Sequence, residues 1–167
     1  MTARATLSQA SMARPIAVAA LTALAVAVLG GAMTVVGPWY HHLVKPAWTP
    51  PDAVFGAIWT LIFAFAAAAG AVAWMKATSS GTRETIIGLF AANGFFNVLW
   101  SLLFFTLHRP DWALWESLAL WLSVAAPVVF LSRFSRLAAL LMAPYLVWVS
   151  VAVLLNFDVV HLNPPFG

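Results

Sequence analysis

Cysteine is absent from the chain, which excludes disulfides, thiol nucleophiles and thiolate metal sites but leaves the compartment open. Charge is almost as scarce. Of 167 residues, 8 are Lys or Arg and 5 are Asp or Glu, whereas roughly 25% of a soluble domain is charged. So few ionic side chains cannot cover a water-facing surface of this length, so lipid is the expected solvent. The net charge of +3 is small and no basic cluster accompanies it, which excludes a nucleic-acid partner. No Gly-rich phosphate loop and no nucleophile–base–orienter set is visible, so no firm catalytic residue emerges. Histidines are few: His41 and His42 are adjacent and cannot point the same way as helical ligands do, and no metal site is expected.

What the chain does contain is apolar sequence: 63% hydrophobic residues and a mean hydropathy of +0.95. Five apolar stretches, at about 16–36, 53–75, 85–107, 112–131 and 137–157, each approach the roughly 20 residues that a helix needs to cross the hydrocarbon. Nothing alternates as a membrane barrel strand does. The expected fold is all-α, a bundle of five transmembrane helices over 16–163, with a flexible N-terminal tail at 1–15 and a C-terminal tail at 164–167. The first stretch resembles a signal peptide in having Arg14 before it and Gly30-Gly31-Ala32 at its end. Its uncharged run is longer than the usual apolar core of about 7–15 residues, so a retained helix is expected.

Most connections are short. The exception is 38–52, PWYHHLVKPAWTPPD, with four of the ten prolines and two of the nine tryptophans. Proline restricts the backbone and lowers ordering entropy, which predicts a structured lid. Alternating spans put Arg4, Arg14, Lys76, Arg83, Arg133 and Arg136 on one side, and Lys45 and Arg109 on the other. The positive-inside rule then places the N-terminus inside and the C-terminus and lid outside. The expected location is a bacterial cell membrane.

Polar and aromatic residues recur within the spans. Asn93 and Asn97 lie four apart on one helix face, continued by Trp100 and Phe104. Tyr145, Trp148, Ala152 and Asn156 follow a similar spacing. Either pattern suits interhelical hydrogen bonding or the wall of a pocket. At about 1.5 Å of rise per residue, Trp59 lies roughly 9 Å, Trp100 roughly 10 Å and Trp148 roughly 13 Å below the lid side. Three indoles from three spans thus share a layer deeper than the headgroup zone where tryptophan anchors, which points to an aromatic cavity under the lid. Trp112 and Trp115, at a helix start, fit the interfacial belt. Glu116, one turn into its helix, is favoured there by the helix dipole and is near enough to the helix start to snorkel. Ala27/Gly31 and Ala66/Gly70 form small-residue pairs compatible with close packing or a homodimer.

The run Trp39-Tyr40-x2-Leu43-x-Lys45-Pro46-x-Trp48-Thr49-Pro50-Pro51, followed by Phe55, Trp59 and Thr60, closely resembles the signature of the TspO/MBR family. That family comprises the tryptophan-rich sensory proteins and the animal translocator proteins, or peripheral-type benzodiazepine receptors. Asn97-x2-Trp100-x3-Phe104-Phe105 is similar too, as is Pro144-Tyr145-Leu146-x-Trp148-x3-Ala152-x2-Leu155-Asn156, with Leu162-Asn163 after it. The matches run in order over roughly 30–163. The resemblance implies a five-helix bundle, often dimeric, with a pocket beneath the first extramembrane loop that binds porphyrin or haem and requires no cofactor. By position it implies Tyr40, Trp48, Trp59, Asn93, Asn97, Trp100, Tyr145, Trp148 and Ala152 as lining, and Trp39, Lys45, Pro46, Pro50 and Pro51 as the lid. Three roles are compatible with it: a tetrapyrrole-binding sensor acting under stress, a light-dependent porphyrin-degrading enzyme using Trp59 and Trp148, or a porphyrin transporter. Transport has the weakest support, since no inverted repeat or intramembrane charge relay is visible. The sterol-recognition pattern of the animal proteins is broken here, reading Phe157 and His161, so cholesterol is not an expected partner. Phe63 stands where the family commonly has tyrosine.

Overall fold

The computed structural model describes residues 2–163, 165 and 166, with side chains from Ala13 onward. Six helices follow in order: α1 Thr2–Met33, α2 Pro38–His42, α3 Asp52–Lys76, α4 Ser80–Ser101, α5 Pro110–Ser132 and α6 Arg136–Leu162. No strand occurs among the described residues. All but the short α2 contain a span long and apolar enough to cross a membrane, so the chain is a multi-pass membrane protein. The backbone of residues 2–15, expected as a tail, continues α1 as helix, and the apolar span within it is Ala13–Met33. Met1, and Pro164 and Gly167 of the expected C-terminal tail, lie outside the described residues.

The helix ends follow local chemistry. Ser79 caps α4 by accepting from the Thr82 amide at 3.1 Å, and Ser135 caps α6 by accepting from Ala138 at 3.3 Å, each satisfying an otherwise orphaned N–H. Pro38 and Pro110 open α2 and α5, where the missing N–H costs nothing. At its far end α4 widens into a π turn over Leu102–Thr106. The chain then reverses at His108, whose φ of 55° lies in the left-handed region that few non-glycine residues occupy.

Packing places the membrane helices in a closed ring, α1–α3–α6–α5–α4 and back to α1. Neighbours in sequence are not always neighbours in the ring, since α3 and α4 touch little despite their short connection. The main core runs from Ile62, Ala66, Ala69 and Ala73 of α3 through Leu120 and Val124 of α5 to Met142, Tyr145 and Val149 of α6. The outer faces carry exposed Leu21, Leu24, Leu118, Leu122, Leu140 and Leu154, an apolar coat that only lipid accommodates. Several hydroxyl groups in the spans bond back to their own helix, as Thr60 does to Gly56 O at 2.8 Å and Ser150 to Leu146 O at 2.9 Å. That satisfies them without water.

Of the two expected small-residue pairs, Ala66/Gly70 packs within the bundle, a Cβ on Gly70 lying 3.7 Å from Phe90 of α4 and 3.9 Å from Ala19 of α1. A Cβ on Gly31 would meet nothing, whereas one on Gly94 of α4 would lie 2.8 Å from Val26 Cγ2 of α1. Glu116 takes the other of the courses open to it. Its side chain does not snorkel; it is buried, and neither carboxyl oxygen has a hydrogen-bond partner.

Candidate functional site

The loop over the bundle is fastened at several points. Tyr40 of α2 is buried, packs on Phe105 with ring centroids 5.5 Å apart, and donates its hydroxyl to Asp52 Oδ1 at 3.2 Å. Burial, reinforced by the adjacent Asp52 carboxylate, pushes this hydroxyl's pKa up to about 12. The Lys45 ammonium lies 4.1 Å from the centroid of the same ring, a cation–π contact. Trp39 lies flat on His108 at 4.1 Å, so the strained turn after α4 is braced by the loop. The carbonyl of Pro46 accepts from both the amide and the hydroxyl of Thr49, and Pro51 is the last residue before α3.

Two long-range ties hold the loop to the end of α6. Asn163 accepts from the Val44 amide at 3.0 Å and donates to the Val44 carbonyl at 2.9 Å, completing the pairing that a strand neighbour would give. The Trp48 indole N–H donates to Asp158 Oδ2 at 3.1 Å, while much of the ring remains exposed. Asp52 and Asp158 were not singled out in the sequence, and Asn163 only as part of the family resemblance. Asp52 has only a local signal, an acidic group in a first helical turn.

Beneath the loop the expected lining residues fall into connected groups. Asn97 donates to the Tyr145 hydroxyl at 3.1 Å, and Trp59 meets the Tyr145 ring edge-on at 6.0 Å. Phe63 packs beside both, so the ring is retained where the family's phenol is missing. Trp148 is met edge-on by Phe55 at 5.6 Å. Trp100 stacks on Phe104 at 5.1 Å and belongs to a second cluster that includes Trp39, Tyr40 and Phe105. Asn93 lies farther from the lid and donates to Ser123 Oγ of α5 at 3.1 Å. Both asparagines therefore make interhelical hydrogen bonds, one of the two uses their spacing suits. Ala152 is half-buried on the same helix as Tyr145 and Trp148.

Four buried polar atoms lack a partner among the described residues: both carboxyl oxygens of Glu116, Nε1 of Trp148 and Oδ1 of Asn156. Asn156 uses its amide nitrogen on the Pro110 carbonyl at 2.8 Å. Such orphaned groups in an apolar interior cost on the order of 1–3 kcal/mol each. The groups belong to α5 and α6: Glu116 and Asn156 in the halves nearer the loop, Trp148 at the middle of α6. No group of three or more metal-ligating side chains occurs among the described residues.

Comparison with known proteins agrees with the residues that carry the resemblance. The TspO/MBR family model matches residues 17–162. The chain is 38% identical over 129 residues to the tryptophan-rich protein TspO of Chlorobaculum tepidum, covering 75% of this chain and 80% of that one. It is 36% identical over 134 residues to the tryptophan-rich sensory protein of Cereibacter sphaeroides, covering 80% and 82%. It is 32% identical over 123 residues to the translocator protein of Homo sapiens, covering 72% of each.

Proposed function

The chain belongs to the TspO/MBR family, and on that premise we propose that it is a receptor-like membrane protein that binds a tetrapyrrole, porphyrin or haem, beneath its proline-rich loop. Its role is regulatory, in tetrapyrrole handling under stress. The observation that carries this reading is the coincidence of an aromatic layer with unpaired polar atoms. Trp59, Tyr145 and Trp148 offer ring faces and edges, while Trp148 Nε1 offers a donor and Glu116 and Asn156 offer acceptors. A tetrapyrrole is flat and apolar over most of its area, yet carries pyrrole N–H donors at its centre and carboxylates at its rim. A sterol, with a single hydroxyl, would leave most of those polar atoms unpaired. Lys45, which forms no ion pair among the described residues, is the cation placed to meet a carboxylate at the loop surface.

The bundle in this reading sits in a bacterial cell membrane with its N-terminus inside and the loop outside. Titration of the detergent-purified chain with protoporphyrin or haem tests the assignment. Saturable quenching of tryptophan fluorescence in the micromolar range is expected, weakened in Trp148→Phe. Absence of saturable quenching overturns it. Illumination adds a second readout: a shifted but persistent Soret band is the outcome for a binder, and loss of the band with a discrete product is the outcome for a porphyrin-degrading enzyme.

A further inference from the structure

A cavity of about 420 Å³ opens between α1, α3 and α4 at the end of the bundle opposite the loop. It exists because its walls are built from small side chains, among them Ala19 and Ala23 of α1 and Ala67 and Gly70 of α3. It also exists because α3 and α4 diverge, with α1 spanning the gap between them. The inner end is closed by Phe63, Asn93 and the tight Val26–Gly94 approach. The outer end is reached between Arg14, Trp74 and Ile87. This space meets the aromatic layer only at its inner end, where Phe63 is shared with Trp59 and Tyr145.

The lining is hydrocarbon apart from Arg14 at the mouth and Thr22 and Asn93 deeper in. Asn93 already spends its amide on Ser123. Such walls suit an aliphatic chain and offer little to a polar solute. The mouth has the opposite character. Arg14 lines it directly, and the Arg83 guanidinium lies 5.2 Å from the ring of Trp74, another mouth residue. Lys76, Arg133 and Arg136 are at the same end of the bundle, and Glu84 is the one acidic residue among the described residues there. Clusters of Lys and Arg beside membrane spans attract anionic lipid headgroups by about 1 kcal/mol per residue.

We propose that this cavity seats an acyl chain of an anionic phospholipid from the adjacent leaflet, with Arg14 holding the phosphate at the mouth. The lipid then fills the gap that the divergence of α3 and α4 leaves, and steadies α1, the least buried of the membrane helices. Its mouth is at the end of the bundle opposite the loop, and it touches the surroundings of the loop-side site only at Phe63 and Asn93.

The experiment uses the delipidated full-length chain in detergent and two lipids with the same brominated acyl chains, phosphatidylglycerol and phosphatidylcholine. Bromine quenches nearby indoles, and subtracting the signal of Trp74→Phe isolates Trp74. Saturable quenching by brominated phosphatidylglycerol is expected, with phosphatidylcholine about fivefold weaker, the equivalent of one basic contact. Arg14→Ala should abolish the difference and Arg14→Lys should restore most of it. Ala67→Phe and Thr22→Phe, which fill the cavity from two walls, should remove the Trp74 quenching while protoporphyrin binding persists. Equal quenching by the two lipids in the unmodified chain overturns the proposal. So does unchanged quenching in both wall variants at unchanged helicity. Because protoporphyrin binding is read separately, failure of this site and failure of the site beneath the loop are distinguishable.

Discussion

The indole N–H of Trp48 donates to Asp158 Oδ2 at 3.1 Å, fastening the middle of the proline-rich loop to the last turns of α6. The contact is exposed, so it is worth about 1 kcal/mol, enough to bias opening without preventing it. Asp158→Ala should therefore release bound protoporphyrin about fivefold faster, with helicity unchanged. Stopped-flow displacement measures this, and an unaltered release rate would remove the tie from any account of ligand exchange.

Stiffness of the loop is a separate matter from its fastening. Replacing Pro50 and Pro51 together by glycine keeps the contacts of Val44 and Trp48 but restores backbone freedom ahead of α3. Weaker binding and faster release are expected, because ordering the loop then costs more on association. The check is release kinetics with circular dichroism; unchanged rates at unchanged helicity would make the loop a passive connector.

The chain has only two tyrosines, so Tyr145→Phe leaves Tyr40 as the single phenol. Its pKa is raised from 10.0 to about 12 by burial first and the Asp52 carboxylate second. The folded state therefore favours the neutral phenol. The stability this contributes is complete below pH 10 and is lost as pH rises towards about 12. Ultraviolet titration of Tyr145→Phe should show ionisation well above that of free tyrosine, and Asp52→Asn should bring it down. A midpoint near 10 in both proteins would contradict the buried placement.

Gly94 and Gly30 make a controlled pair. A Cβ on Gly94 would sit 2.8 Å from the branched Val26 side chain, while one on Gly30 would stand 3.6 Å from Asn97 Oδ1. Gly94→Ala must push α1 from α4 and should cost about 1–3 kcal/mol, whereas Gly30→Ala should be nearly neutral. Thermal unfolding in detergent compares them; equal shifts would deny the close approach.

Orientation is tested in the cysteine-free background. Single cysteines at Ser80 and His41, both exposed and at opposite ends of α3, should react with an impermeant reagent from opposite sides, His41 from outside. Labelling of both positions from one side would overturn the topology.

The five spans were legible because lipid imposes length and apolarity on any crossing helix, and little else competes with that signal. Their ends were legible only in part. Hydropathy stops at 157, but Val159 packs into the loop cluster and carries α6 on to Leu162. The spacing of Asn97 and of Tyr145 correctly indicated one inward face on each helix, and the two residues meet each other. The loop's anchors were hidden for another reason. Val44 and Asn163, or Trp48 and Asp158, are separated by more than a hundred residues, and nothing local to either partner announces the other. The burial of Glu116 was not legible because its distance from the helix start was visible and its rotation about the helix axis was not.

The ring order has a consequence for biosynthesis. As the helices leave the ribosome in sequence, α1 finds α3, then α4 finds α1, and α5 finds α4, leaving a curved palisade with α3 and α5 at its free edges. Only α6 fits between those edges, and it is made last. A nascent chain halted after Ser132 therefore holds Asn97 towards lipid without Tyr145, and Trp121 without Ser150. Such exposed amide and indole groups, like an unfilled wedge between α3 and α5, are features by which membrane quality control can tell an unfinished chain from a finished one.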